Sequence, residues 1–95
     1  MSKTLMDDAL AAVKKELIER VKERRREHGL TQEALAKSST VSFGSLKRFE
    51  RTGEISLESL IKIAYALGRT ADFKRLFWRK TAQLPSSSPI DITWN

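Results

Sequence analysis

The chain has 95 residues, a formal net charge of +6 and no cysteine. That length holds at most one compact domain with short tails, and the absence of thiols excludes a disulfide framework or a thiolate metal site. The basic balance favours polyanionic partners by long-range attraction. The single histidine, His28, has no carboxylates placed to complete a metal site, so no metal or cofactor is expected. No segment approaches the roughly 20 apolar residues of a membrane span, and the first residues lack the apolar run of a signal peptide. A protein of the reducing cytoplasm is the expectation.

In chain order, Thr4 is placed to cap a first helix with Asp7 and Asp8 in its first turn, where the helix dipole favours acids. Leu10, Val13, Leu17 and Val21, flanked by Leu5, Ala9 and Ile18, recur at steps of 3 and 4 and predict an apolar stripe. Gly29 ends this helix. It is long for a domain of this size, so its first two or three turns are expected to extend beyond the core, with Ala11–Ala12 the place for a break. Thr31 caps a second helix with Leu35 and Ala36 inward, ended by Ser38, Ser39 and Thr40, whose side chains compete for backbone groups. Ser42 caps a third helix, residues 43–51, with Leu46 and Phe49 inward, and Gly53 takes the positive φ of the following loop. Ser56 opens a fourth helix with Leu57, Leu60, Ile61, Ala64 and Leu67 as its core stripe, closed by Gly68. Thr70 caps a fifth, residues 71–78, with Phe73, Leu76 and Phe77 inward. Residues 79–95 hold both prolines and three consecutive serines. They end in Ile90-Asp-Ile-Thr-Trp94, whose alternation suits a short strand needing a second strand, most simply from a twin subunit.

Helices as short as the second and third cannot persist alone. They must pack on their neighbours across a tight turn, which leaves the outer face of the third helix projecting. That face carries Ser42, Phe43, Gly44, Ser45, Lys47 and Arg48. A helix of this kind fits the DNA major groove. Arg24, Arg25, Arg26, Lys22, Lys47, Arg48 and Arg51 are candidate phosphate contacts, although an arginine–glutamate interleaved run is as readily a solvated face.

The run Gly29-Leu-Thr-Gln-Glu-Ala-Leu-Ala-Lys37, followed by Val41-Ser42 and by Leu46-Lys-Arg-Phe-Glu-Arg-Thr-Gly53, resembles the XRE family of lambda-repressor and Cro-like helix-turn-helix domains. The resemblance covers roughly residues 17–68. It implies an all-α, five-helix fold and a homodimer on palindromic double-stranded DNA; the tail's alternation adds a possible short C-terminal strand pairing across that dimer. Gln32 is then a phosphate or base contact, and Ser42, Phe43, Gly44, Ser45 and Lys47 the reading surface, with Arg48 and Arg51 beside it. Glu50 in such domains is structural, tying the third helix to nearby amides or a basic residue. Three departures stand out. Thr40 occupies the family's turn glycine, which predicts a strained turn. Ser39 replaces an apolar residue, which predicts weaker turn packing. Phe43 and Gly44 replace polar reading residues, and Phe43 suits either a thymine methyl group or a protein partner.

The layout of domain, tail strand and terminal Trp94 is also similar to HipB-type antitoxins, repressors of their own operons that bind a HipA-like kinase toxin. That likeness implies Ile90, Ile92 and Trp94 as partner-binding residues. The expected organisation is an extension of the first helix over residues 1–12, the DNA-binding domain over 13–78 and a tail over 79–95. A stand-alone XRE-type regulator and a protein-interaction adaptor with weak DNA affinity remain the alternatives. No nucleophile–base pair, metal cluster or phosphate loop points to an enzyme.

Overall fold

The computed structural model describes residues 4–79; the expected tail strand with Ile90, Ile92 and Trp94 lies outside them. The described chain is all-helical: α1 (Leu5–Glu27), α2 (Gln32–Ser39), α3 (Phe43–Thr52), α4 (Leu57–Ala66) and α5 (Thr70–Lys74). Among the described residues, no helix is long and apolar enough to cross a membrane.

Hydroxyl caps start four of the five. Thr4 Oγ1 accepts the Asp7 amide while the Asp7 carboxylate accepts the Thr4 amide, a full capping box. Thr31, Ser42 and Ser56 each accept the amide three residues on, at 3.0–3.1 Å. Each such cap stabilises its helix by about 1 kcal/mol. α5 starts at Arg69 with no side-chain cap, and it is the shortest helix. It stops at Lys74, where residues 75–77 turn and Phe77 takes φ 62°, and does not reach Trp78, contrary to the sequence expectation; Thr70 is its first residue. Leu76 and Phe77 are 55% and 96% exposed, so they are not core residues, whereas Phe73 is half-buried.

The core is Val21 from α1, Leu35 and Ala36 from α2, Val41 from the turn, Leu46 and Phe49 from α3, and Ile63 and Leu67 from α4. Leu35, Leu46, Phe49 and Ile63 are fully enclosed. The α4 face is rotated from the expected one. Leu60, Ile63, Ala64 and Leu67 point inward, while Leu57 and Ile61 join Tyr65 on the surface. α4 carries apolar residues on most of its circumference, so periodicity alone leaves its phase undecided. α1 runs unbroken through Ala11–Ala12, and residues 4–13 are exposed throughout, as its length suggested.

Three helices close with the same pair of backbone bonds. After α1, the Leu30 amide donates to the Arg25 carbonyl and Gly29 to Arg26. Val41 to Ala36 and Thr40 to Lys37 repeat the pattern after α2, and Arg69 to Ala64 and Gly68 to Tyr65 after α4. This closure wants a left-handed residue at its pivot. Gly29 and Gly68 supply it at φ 69° and 71°, and Thr40 adopts it at φ 59° with a β-branched side chain. Its hydroxyl donates to the Ser39 carbonyl. At Ser39, where weaker packing is expected, the polar group is satisfied. Ser39 is buried, and its hydroxyl donates back to the Leu35 and Ala36 carbonyls at 2.8 and 3.2 Å.

A left-handed L-residue costs about 1–2 kcal/mol, part of which glycine returns as unfolded-chain entropy. Thr40→Gly is therefore expected to raise stability by about 1 kcal/mol, read from the midpoint of urea unfolding. A fall would mean that the Thr40 hydroxyl bond outweighs the strain.

Candidate nucleic-acid interface

α2 and α3 are held at their angle by a buried polar contact. Glu50 lies on the inner face of α3 beside Leu46 and Phe49, with its side chain 3% exposed. Arg25 of α1 grips it in a fork, Nε to Oε2 at 2.9 Å and Nη2 to Oε1 at 3.1 Å. Arg25 Nη1 also donates to the Leu30 carbonyl, which anchors the turn into α2. Gln32, the first residue of α2, donates its side-chain amide to Glu50 Oε1 at 2.9 Å. One carboxylate thus ties together α1, α2 and α3. Planar bidentate pairing of this kind is specific to arginine. The reading of Glu50 as structural agrees with this geometry. The reading of Arg25 as a phosphate contact or a solvated arginine does not, since its charge is spent on Glu50. Only the pattern around Glu50 hinted at this: an acid on a buried helical face needs a cation from another element.

The opposite face of α3 is free of internal duties. Ser42, Phe43, Gly44, Ser45, Lys47, Arg48 and Arg51 are all exposed. Ser42 Oγ caps the Ser45 amide and donates to Ser45 Oγ at 2.8 Å, which fixes both hydroxyls at the helix start. Lys47 Nζ stands 4.9 Å from the centre of the Phe43 ring, a cation–π contact that stiffens both side chains on the surface. A methyl group added at Gly44 would meet nothing within 4 Å. Glycine within a helix costs about 1 kcal/mol relative to alanine, and no internal packing requires it there.

Among the described residues, Lys47, Arg48 and Arg51 form no salt bridge. Lys47 and Arg51 line an open groove of about 440 Å³ with Lys22, Gln32 and the Arg25–Glu50 pair. Since Arg25 and Glu50 cancel, the groove is cationic. Gln32 is half-buried at its edge, held by Glu50. Arg24 pairs with Glu27 and lines a different groove, so the structure does not bring it to this face. At the far end of α3, Lys14 Nζ reaches Glu54 at 2.6 Å. The hydrogen bond from Lys14, then its charge, holds the Glu54 carboxyl below the usual carboxylate range, with Arg48 adding to this. A depressed carboxylate favours the fold above its unfolded titration range, and that contribution fades as pH falls through its folded value. On this exposed surface the contribution is small.

Residues 21–74, more than half of the chain, match the helix-turn-helix family model HTH_3. The chain belongs to the HTH_3 family, the XRE-type helix-turn-helix proteins. No curated protein and no solved structure matches it. HTH_3 domains bind DNA and are not an enzyme family, so this chain is a DNA-binding, XRE-type transcriptional regulator. The lambda-repressor-like fold expected from the motif is the one observed.

Removing one partner of a buried pair strands the other. Glu50→Ala is expected to cost about 3 kcal/mol of unfolding free energy. Glu16→Ala, which breaks the exposed pair with Arg20, should cost no more than about 0.5 kcal/mol. Denaturant melts of both variants check this, and equal losses would contradict a special role for Glu50.

Proposed function

We propose that the chain is a sequence-specific repressor that binds a palindromic operator as a homodimer. α3 enters the major groove, and two copies read half-sites about one helical turn apart. Lys47, Arg48 and Arg51 contact phosphates, with Gln32 contacting phosphate or base at the start of α2. Ser42, Phe43, Gly44 and Ser45 face the base edges. The supporting observation is the outer face of α3, where cations without salt bridges flank a glycine and an aromatic ring with no packing role. Gly44 lets the backbone approach its target closely, and Phe43 presents an apolar surface for a thymine methyl group.

The finer reading makes this repressor the antitoxin of a HipA-like kinase module that autoregulates its operon. It rests on the sequence layout, with Ile90, Ile92 and Trp94 as the toxin-binding residues of the 79–95 tail, residues 1–12 as an extension and 13–78 as the DNA-binding unit. Exposure of Phe43, 40% of its surface, favours one second reading, a protein-interaction adaptor of weak DNA affinity.

A gel shift on the protein's own promoter at two salt concentrations separates the readings. The repressor gives a shift that weakens steeply with salt, and no shift at low salt favours the adaptor. Lys47→Ala is expected to weaken binding to all sequences alike and lower the salt slope by about 1, whereas Phe43→Ala should alter preference at a single base pair. A pull-down from the host with the full chain and with a chain ended at Leu84 tests the toxin. A kinase captured only by the full chain supports the tail interface, and a kinase captured by neither form counts against the antitoxin role.

A further inference from the structure

The amino-terminal half of α1 overhangs the domain. The helix meets the body at Lys14, whose side chain lies against Gly53 and whose ammonium reaches Glu54. Before that point it carries an apolar stripe open to solvent. Met6, Leu10 and Val13 are 78%, 53% and 60% exposed. With Leu17 they recur at steps of 4, 3 and 4 residues, the spacing of a two-helix seam. The stripe continues beyond the overhang. Leu17 and Val21 form one wall of an open groove of about 490 Å³, and Leu60 and Phe73 line the other side. Three arginines, Arg20, Arg24 and Arg69, and two acids, Glu23 and Asp72, also line it; the arginines stand in exposed pairs with Glu16, Glu27 and Asp72. Such surface pairs exchange partners at little cost.

We propose that the α1 overhang packs antiparallel against the same helix of a second copy, stripe on stripe, with its first turn over the partner's groove. Charge selects the direction. The first turn holds Asp7 and Asp8, and antiparallel packing carries each acidic turn toward Arg20 and Arg24 of the other copy. A parallel pair would set the two acidic turns side by side. The antiparallel pair also opposes the two helix dipoles. It places the two domains at opposite ends of the seam, whereas a parallel pair crowds both at one end. This contact deepens the homodimer reading above and rests on it.

Sedimentation of the full chain across micromolar concentrations tests the contact. The wild type should be dimeric, and Leu10→Lys with Val13→Lys should abolish the dimer with unchanged circular dichroism, since both positions are exposed. A monomeric wild type would overturn both the contact and the homodimer in solution. A double variant that stays dimeric would overturn the α1 contact and leave the homodimer standing. The chain contains no cysteine, so introduced thiols report direction cleanly. On oxidation, Met6→Cys chains should link to Arg20→Cys chains and not to each other. Self-linked Met6→Cys chains would overturn the antiparallel arrangement.

Discussion

The helix-turn-helix geometry depends on the seat of one carboxylate. Glu50 is buried among the residues that hold α3 to the core, and it is tolerable there only because Arg25 and Gln32 supply three hydrogen bonds to its two oxygens. Each donor comes from a different helix, so satisfying the charge and setting the angle between α1, α2 and α3 are the same event. The third nitrogen of Arg25 closes the turn before α2 through the Leu30 carbonyl. Apolar packing around Leu35, Leu46 and Phe49 is non-directional and tolerates small rotations of α3. The forked ion pair does not, and it is what fixes which residues of α3 point away.

That division explains the outer face. Three consecutive inward duties, Leu46, Phe49 and Glu50, occupy one side of a ten-residue helix. The other side is left to Phe43, Gly44, Lys47, Arg48 and Arg51. Its start is pinned by the Ser42 cap and its end by Gly53, which approaches α1 so closely that an added Cβ would lie 3.0 Å from Lys14 Cβ. The turn before it accepts a threonine in a left-handed conformation because flanking groups fix it on both sides. Val41 is buried behind it, and the Ser39 hydroxyl bonds back into α2. Local strain here is held by packing and not relieved by sequence.

What could be read from the chain was what depends on near neighbours. Caps at Thr4, Thr31, Ser42 and Ser56, the inward Leu35, Ala36, Leu46 and Phe49, and the glycine closures all follow from spacings of three to six residues. What could not be read depends on distance or on balance. Arg25 sits in a run of three arginines, and nothing within that run distinguishes it; the distinction comes from Glu50, 25 positions away. The phase of α4 turned on the competition between Ile63 and Ile61, equal in hydrophobicity, and was decided by which one met the cavity left by the other helices. Ser39 reads as a packing loss from its side chain alone, and only the fold shows its hydroxyl bonding the carbonyls one turn behind it. The surface of the site is legible as a face, since outward positions follow once the inward ones are known, whereas what those side chains contact depends on a partner outside the chain.

The distribution of apolar side chains follows from the small size of the core. α5, uncapped and little more than one turn long, buries no residue: Phe73 is half-buried, and Leu76, Phe77 and Trp78 lie on the surface. α4 likewise exposes Leu57, Ile61 and Tyr65 along one stripe, and α1 exposes Met6, Leu10 and Val13 along another. A domain of this length buries too little of its own apolar surface to hide them all. Contiguous stripes on helices, unlike scattered residues, present complementary ridges to another helix. The outer face of α3 and the stripes on α1 and α4 share this origin: a small core needs few side chains to close it, and the rest are left at the surface.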